Sequence, residues 1–194
     1  ATGGSRGLSD VPLLAGVGLM GGAMFRDFAI VATAFGADVR ALKSAGLMGA
    51  FSIVIGVALS FVIGVVVAVG FGYTDAIDLT TIGAGAATYI VGPVTGTALG
   101  AGSDVIALSV AAGLTKSVLV MIGTPFVASR IGLDNPHSAL IYGGLMGTTS
   151  GVAGGLAATD PKLVPYGAMT ATFYTGMGCL LAPSVLYLMV RAVF

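Results

Sequence analysis

The sequence has few charged residues and lacks the residue types on which most soluble active centres depend. Only 8% of its 194 residues are charged, as eight Lys plus Arg and eight Asp with no Glu, whereas soluble domains average about 25%. A net charge of zero provides no basic surface for nucleic acid. One Cys and one His exclude a disulfide framework and leave too few ligands for structural zinc, haem or an iron–sulfur cluster.

The chain is instead rich in apolar residues and glycine. Hydrophobic residues make up 56% of it, the mean hydropathy is +1.04, and there are 32 Gly and no Trp. No GxSxG, HExxH, P-loop or CxxC pattern occurs, His137 lies in a predicted loop, and Cys179 lies in an apolar stretch. We therefore expect an integral membrane protein in contact with lipid, with no enzymatic activity and no covalent cofactor.

The N-terminal quarter of the chain allows two interpretations. Its apolar segments Val11–Phe25 and Phe28–Ala37 are separated by Arg26 and Asp27. The region is either one helix with an internal ion pair, or a short interfacial piece followed by a half-helix. The chain begins without Met and without a signal-peptide pattern, and we expect it to be a fragment of a longer protein.

Four uncharged stretches are each long enough to cross a bilayer, which takes about 20 apolar residues. Ser44–Thr74 contains 16 residues of the types Val, Ile, Leu, Met and Phe, and it predicts a full lipid-facing span. Leu163–Val190 predicts another span. Leu79–Ser103 and Asn135–Thr159 differ, because each has only six such residues in 25, together with six Gly and five or six Ser or Thr.

The two Gly-rich stretches are poor lipid-facing helices, since Gly costs about 1 kcal/mol in a helix interior. Irregular backbone at membrane depth persists only when protein or a cavity surrounds it, and we interpret both stretches as re-entrant hairpins or broken helices. The alternative is that the glycines simply allow close helix packing. Pro93 and the clusters Thr95-Gly96-Thr97 and Thr148-Thr149-Ser150 favour hairpins, because close packing does not need clustered hydroxyls.

The hairpin pattern occurs twice along the chain. Each Gly-rich stretch ends in a hydroxyl residue and an aspartate, Ser103-Asp104 and Thr159-Asp160, and an apolar span follows each, Val105–Ala128 and Leu163–Val190. Since each span carries the chain across, the second hairpin enters from the other side, as in the inverted repeats of secondary transporters. We predict an all-α polytopic membrane protein of this design with additional N-terminal spans. Its predicted parts are 1–78 (with the full span 44–74), 79–128 and 129–194.

Loop charges predict the orientation of this topology. Four of the basic residues would share one face of the membrane, namely Arg40, Lys43, Arg130 and Lys162. Asp75 and Asp78 would lie on the other face. The positive-inside rule then makes the basic face cytoplasmic.

Anion sites are predicted where broken helices present unpaired N–H groups near hydroxyls; the alternative is that these hydroxyls bond their own helix backbone. Ionisable residues at membrane depth cost at least about 2.5 kcal/mol each, so each is a candidate. Lys116, near mid-span, is expected to meet an anionic substrate, Asp27 or Asp160, whereas Arg26 and Asp27 alternatively form a local pair or a subunit contact. The candidate substrate-binding residues are Thr95, Gly96, Thr97, Thr148, Thr149, Ser150, Gly151, Lys116 and Arg26.

A cation site is predicted to use oxygen ligands, because hydroxyls, carbonyls and a carboxylate suit Na⁺. For Asp104 and Asp160 the alternative is helix N-capping, which the pair Asp160-Pro161 fits. The candidate cation-binding residues are Gly92, Thr88, Ser103, Asp104, Thr159 and Asp160.

Three long segments resemble a known family: DVPLLAGVGLMGGAMFRDFAIVATAFG, TTIGAGAATYIVGPVTGTALG and GGLMGTTSGVAGGLAATDPKLVPYGAMTATFYTG. They strongly resemble the large subunit (MadM) of malonate:cation symporters, over essentially the whole chain. The resemblance implies transport of malonate, a three-carbon dianion, coupled to Na⁺ or H⁺ in the bacterial cytoplasmic (inner) membrane. It also implies a smaller membrane subunit (MadL) that this sequence does not contain.

The resulting hypothesis is that malonate is held between two hairpin tips, near Thr95–Thr97 and Thr148–Ser150, with Lys116 or Arg26 offsetting part of its charge. Because there is no Glu and a single His, only aspartates are obvious proton carriers, which favours Na⁺. Two other classes stay open: a channel with a filter of re-entrant loops, and a scaffold subunit whose partner holds the site.

Overall fold

The computed structural model describes residues 39–194, and side chains from residue 46 onward. In this part of the chain every regular element is helical and there is no strand, which confirms the predicted all-α class. Arg26 and Asp27 lie outside the described residues. The elements in chain order are α1 (Val39–Gly70), α2 (Ala76–Ala87), α3 (Val91–Leu99), α4 (Ser103–Val127), α5 (Pro136–Met146), α6 (Thr149–Ala157), a 3₁₀ turn (Pro161–Leu163), α7 (Val164–Leu181), a π-helical segment (Ala182–Leu186) and α8 (Tyr187–Val193).

Among residues 39–194, three helical segments are long and apolar enough to cross a membrane: Gly46–Gly70, Ser103–Val127 and Pro161–Val193. They coincide with three of the apolar stretches that the sequence predicts to be spans. Their outer faces carry large apolar side chains, such as Leu119, that are exposed in the isolated chain and that lipid covers in a membrane protein. The third segment passes through the π-helical turn at Pro183, a residue that cannot donate a backbone hydrogen bond.

The first Gly-rich stretch folds into two short antiparallel helices, α2 and α3. Gly92 on α3 lies against Gly85 on α2. Gly96, four residues further along α3, lies against Thr81, which comes four residues before Gly85 on α2. This reversed order of contacts shows that the helices run in opposite directions. At Gly92, a Cβ would lie 2.8 Å from the Cα of Gly85, so glycine is what allows the two backbones to approach.

The turn between α2 and α3 is Thr88–Ile90. Thr88 Oγ1 accepts hydrogen bonds from the N–H groups of Ile90 and Val91, at 3.1 and 3.3 Å, and so caps the start of α3. Pro93 is the third residue of α3, where a missing N–H costs no intrahelical bond. The predicted tip at Thr95–Thr97 is therefore corrected, because those residues lie within α3, beyond the turn.

The second Gly-rich stretch forms α5 and α6 around a turn at Gly147 and Thr148. Gly147 has a φ of 72°, in the left-handed region that favours glycine. The two helices have few contacts with each other, and α4 contacts both of them. The hydroxyl groups of Thr124 on α4 and Tyr142 on α5 form a hydrogen bond of 2.7 Å. Thr124 also packs against Gly155 of α6.

The long helices contact the two helix pairs one after the other. On α4, Gly113 touches the first turn at Tyr89, and four residues later Ser117 lies against Gly151 of α6. Earlier residues of α4 pack on α2 and α3, and later ones pack on α6, with the hydrogen bond from Thr124 as a contact to α5. Helix α1 contacts them in the opposite order, first α5 and then α2. Both turns therefore reach α4 near its middle.

Close backbone contact makes Gly143 a position where a methyl group is not tolerated. A Cβ at Gly143 on α5 would overlap the carbonyl oxygen of Gly167 and the hydroxyl of Thr170 on α7. We expect Gly143→Ala to lower the thermal unfolding midpoint of the purified protein by several degrees, since overpacking costs about 1–3 kcal/mol. Gly176→Ala is the matched control, because no atom lies within 4 Å of a Cβ there. Equal midpoints for the two variants would contradict the packing described.

Candidate functional site

Lys116 lies near the middle of α4, and its ammonium group is directed into the protein. The Lys116 Nζ donates hydrogen bonds to Ser60 Oγ of α1 at 2.8 Å, to the Ala87 carbonyl oxygen of α2 at 2.9 Å, and to the Tyr174 hydroxyl of α7 at 3.4 Å. An ammonium group has three donors, so all three are used. Helices from three parts of the chain thus converge on one positive charge.

No carboxylate among residues 46–194 pairs with the Lys116 ammonium, whose described partners are all neutral oxygens. Asp160, one of its predicted partners, instead caps the 3₁₀ turn after α6. Asp27, the other predicted partner, lies outside the described residues. Within the described part of the chain, the site therefore has a positive charge that an anion can neutralise.

Tyr174 connects the two turns with the lysine. Its ring is fully buried, with the ring centroid 5.1 Å from the Lys116 Nζ, and its hydroxyl donates a hydrogen bond to the Gly56 carbonyl oxygen at 3.1 Å. The ring packs in one cluster with Ala87, at the first turn, and covers Gly147, at the second. Tyr174 therefore contacts the surroundings of both turns and the lysine at the same time.

Sequence reasoning missed Ser60 and Tyr174 as residues of the site. The signal that was available is Lys116 itself, because a charge at membrane depth needs oxygen partners from neighbouring helices. Neither Ser60 nor Tyr174 stands in a motif, and they lie 56 and 58 residues from Lys116 in the chain.

Ser117, the neighbour of Lys116 on α4, binds the second turn. Its hydroxyl forms a hydrogen bond with Thr148 Oγ1 and lies 2.9 Å from Ser150 Oγ. Thr148 is the N-cap residue of α6, but its side chain does not cap the first turn of that helix. The predicted cluster Thr148–Gly151 thus lies at a helix N-terminus close to Lys116, where the backbone N–H groups and helix dipole favour an anion.

The other predicted substrate cluster, Thr95-Gly96-Thr97, is not part of this arrangement. Thr95 is fully buried in α3, and its Oγ1 has no hydrogen-bond partner among the described residues. Gly96 packs against Thr81 and Ile106. Thr97 is exposed on the outer side of α3. None of the three contacts Lys116.

The predicted cation ligands are not brought together either. Thr88 begins the first turn and Gly92 lies at the start of α3, whereas Ser103-Asp104 begins α4 and Thr159-Asp160 follows α6. The Asp160 carboxylate accepts a hydrogen bond from the Lys162 N–H at 3.0 Å, which is the N-capping alternative. Thr159 and Thr88 likewise bond nearby backbone groups.

Asp104 lies in the first turn of α4, whose N-cap residue is Gly102, so its carboxylate is not the N-cap. Burial, and then the neighbouring carboxylates of Asp75 and Asp104, raise the pKa of Asp78 above its ordinary value. Three aspartates therefore share one end of the helix bundle. Among the described residues, no cluster of three or more His, Cys, Asp or Glu has the geometry of a metal site.

A largely apolar groove of about 1030 Å³ leads to Lys116. It lies between α1, α4 and α5, and Lys116 forms part of its wall together with apolar side chains such as Ile63, Leu119 and Leu145. The Lys116 side chain is therefore accessible through this groove from the side of the helix bundle, in addition to lying near the two turns.

The chain belongs to the family of the MadM subunit of malonate/sodium symporters. The model of that family, described as "Malonate/sodium symporter MadM subunit", matches residues 1–194, which is the whole chain. No curated protein and no solved structure matches the chain significantly. The family is one of transporter subunits, and the three apolar helical segments fit a membrane protein.

Proposed function

We propose that this MadM-family subunit carries malonate together with Na⁺ across the membrane, and that malonate binds between the two turns, beside Lys116. The observation that supports this site is the Lys116 ammonium near mid-span, which has no carboxylate partner among residues 46–194. A charge at that depth costs at least about 2.5 kcal/mol. A substrate carboxylate offsets that cost, whereas a neutral substrate does not.

The two carboxylates of malonate find two sets of donors in this proposal. Lys116 binds one of them. The other meets the N–H groups at the start of α6 and the hydroxyls of Ser117, Thr149 and Ser150. The N-terminus of α6 adds about half a positive charge through the helix dipole, so the dianion meets positive potential from both sides.

The two helix pairs act as opposed re-entrant hairpins in this proposal, forming an inverted repeat of residues 79–128 and 129–194 after an N-terminal part of residues 1–78. The antiparallel contacts within α2–α3 and the order of contacts along α4 support this design. Inverted repeats with broken helices at the midplane are typical of secondary transporters. Alternating access then follows from movement of the hairpins relative to the long spans.

The working transporter in this proposal also contains a smaller MadL-like membrane subunit and operates in the bacterial cytoplasmic membrane. The family name describes this chain as one subunit of a symporter, which implies a partner. The apolar groove beside Lys116 and the exposed apolar faces of the spans leave room for lipid and for such a partner.

Malonate uptake into proteoliposomes that contain this subunit with its partner tests the proposed function. We expect radiolabelled malonate to accumulate above equilibrium with an inward Na⁺ gradient, and not with a K⁺ gradient at the same pH. Equal uptake in both conditions that collapses without a pH gradient would show proton coupling instead. Uptake that never exceeds equilibrium under any gradient would indicate a channel.

The hydroxyl of Ser150 is predicted to contribute to malonate binding. We expect Ser150→Ala to raise the KM for malonate about tenfold or more, because a hydrogen bond to a charged group contributes about 1.5–3 kcal/mol. Thr97→Ala is the matched control, since Thr97 is exposed on α3 and is not part of the second turn or of α6. A rise in KM for Thr97→Ala with none for Ser150→Ala would indicate that malonate binds at the cluster Thr95-Gly96-Thr97 instead.

A further inference from the structure

The three oxygens around the Lys116 ammonium form a cation site of a particular kind. Ser60 Oγ, the Ala87 carbonyl oxygen and the Tyr174 hydroxyl come from three different elements, and all lie 2.8–3.4 Å from Nζ. None of them is a carboxylate. Neutral hydroxyl and carbonyl oxygens are hard ligands, which suit a monovalent alkali cation as well as an ammonium group.

The Ala87 carbonyl brings the negative end of a helix dipole to this site, in addition to its own oxygen. Ala87 is the last residue of α2, so its carbonyl oxygen lies at the C-terminal end of that helix. Carbonyls in the last turn have no partner within the helix, and the helix dipole gives this end about half a negative charge. The site therefore attracts a cation even without a carboxylate.

Lys116 has to leave part of this site when it binds a substrate. All three of its donors are used by the three oxygens, so a hydrogen bond to a malonate carboxylate requires that at least one of the existing bonds is given up. An oxygen that loses the ammonium is left with fewer hydrogen bonds at membrane depth, where an unsatisfied polar group costs several kcal/mol. The Tyr174 hydroxyl keeps its bond to the Gly56 carbonyl oxygen.

We propose that Ser60, Ala87 and Tyr174 form the Na⁺ site of this transporter, and that the Lys116 ammonium occupies that site until malonate draws it away. Sodium then takes the place of the ammonium. Hard cations of this size hold oxygens at about 2.3–2.6 Å, so Ser60 Oγ and the Ala87 carbonyl oxygen move inward by a few tenths of an ångström and the Tyr174 hydroxyl, now 3.4 Å from Nζ, moves by roughly 1 Å. This inference rests on the proposed function, and it explains coupling: each ion binds well only when the other is present.

Binding of ²²Na⁺ to the purified complex of this subunit with its partner tests the inference. In the wild-type complex, we expect Na⁺ binding to require malonate. In Lys116→Met the site is vacated, and we expect Na⁺ to bind without malonate with an affinity at least tenfold higher than in the wild type without malonate. Adding Ser60→Ala or Tyr174→Phe to Lys116→Met is expected to remove this binding. Ser184→Ala is the control for Ser60→Ala, because Ser184 is an exposed serine that bonds only its own helix backbone.

The outcomes separate this inference from the proposed function. If Lys116→Met loses malonate uptake but gains no Na⁺ binding in an intact complex, the sodium site is wrong and the malonate site stands. If Lys116→Met transports malonate normally, the malonate site itself is wrong. Sodium binding that survives both Ser60→Ala and Tyr174→Phe would also overturn the assignment of the ligands.

A second measurement keeps the inference testable if Lys116→Met does not assemble. With Lys116 in place, Ser60→Ala and Tyr174→Phe are each expected to raise the half-maximal Na⁺ concentration for uptake at least fivefold, while the KM for malonate at saturating Na⁺ changes little. A purely structural role would change both quantities or neither. Unchanged Na⁺ dependence in both variants would overturn the inference.

Discussion

Replacing Lys116 with methionine is expected to lower malonate uptake by at least about thirtyfold. Removing one partner of a buried charge interaction costs about 2–5 kcal/mol, and the Lys116 ammonium is the positive group that meets the substrate in the proposed site. Methionine has a similar length and keeps the apolar contacts of the side-chain stem. Uptake at equal amounts of assembled transporter is the measurement.

Two further variants show whether the loss is specific to the charge at this place. Lys116→Arg keeps the charge but presents a larger, planar group, so we expect at most partial activity. Lys162→Met removes a charge from an exposed lysine in the 3₁₀ turn, and uptake is expected to stay near the wild-type level. Wild-type uptake by Lys116→Met would show that the ammonium does not bind the substrate.

Gly147→Ala is expected to abolish uptake and to reduce the yield of folded complex. At Gly147 the backbone has a φ of 72°, and a Cβ would overlap the ring of Tyr174. Because Tyr174 is fully buried between the two turns, its ring cannot move aside without displacing the second turn or breaking its contact with Lys116. Both backbone strain and side-chain overlap therefore oppose alanine.

Gly132→Ala separates these two causes. Gly132 has a similar φ of 65°, but no atom lies within 4 Å of a Cβ there. It therefore carries the backbone strain alone, and we expect a modest loss of stability with uptake retained. The measurements are the amount of folded complex, its thermal midpoint and its malonate uptake. Equal defects in the two variants would show that the contact with Tyr174 is unimportant.

The membrane spans were predictable because lipid-facing helices require long uncharged runs of large apolar residues, which are visible in the sequence. Gly46–Gly70, for example, lies within an uncharged run of 31 residues, 16 of which are large and apolar. The second turn was predictable as well, since Gly147 and the hydroxyls after it match a helix end and a helix start. These features are local, so one sequence is enough to read them.

The first turn was misplaced because its residues carry no breaker signal. Thr88-Tyr89-Ile90 contains neither Gly nor Pro, and the turn is closed by the side chain of Thr88. The residues that usually break helices, Gly92 and Pro93, instead lie among the first three residues of helix α3, where Pro is tolerated. Pattern reasoning therefore shifts the tip toward Thr95–Thr97, several residues too late.

The candidate site was predictable only in part, for a different reason. Lys116 and the cluster Thr148–Ser150 are visible because a charge or clustered hydroxyls are rare in apolar sequence. Ser60 and Tyr174 become recognisable only when the fold brings α1 and α7 to the lysine. Contacts over more than 50 residues follow from the packing of whole helices, which composition does not specify.

The position of Lys116 also determines how the membrane voltage acts on the proposed cycle. With one Na⁺ per malonate, the charges of dianion, sodium and ammonium sum to zero, so the loaded site is electrically neutral and the empty site carries one positive charge. Each charge that crosses the field contributes about 2.3 kcal/mol per 100 mV. The voltage then acts on the return of the empty carrier rather than on the loaded step. With two Na⁺, both states carry one positive charge and the two effects cancel over a full turnover.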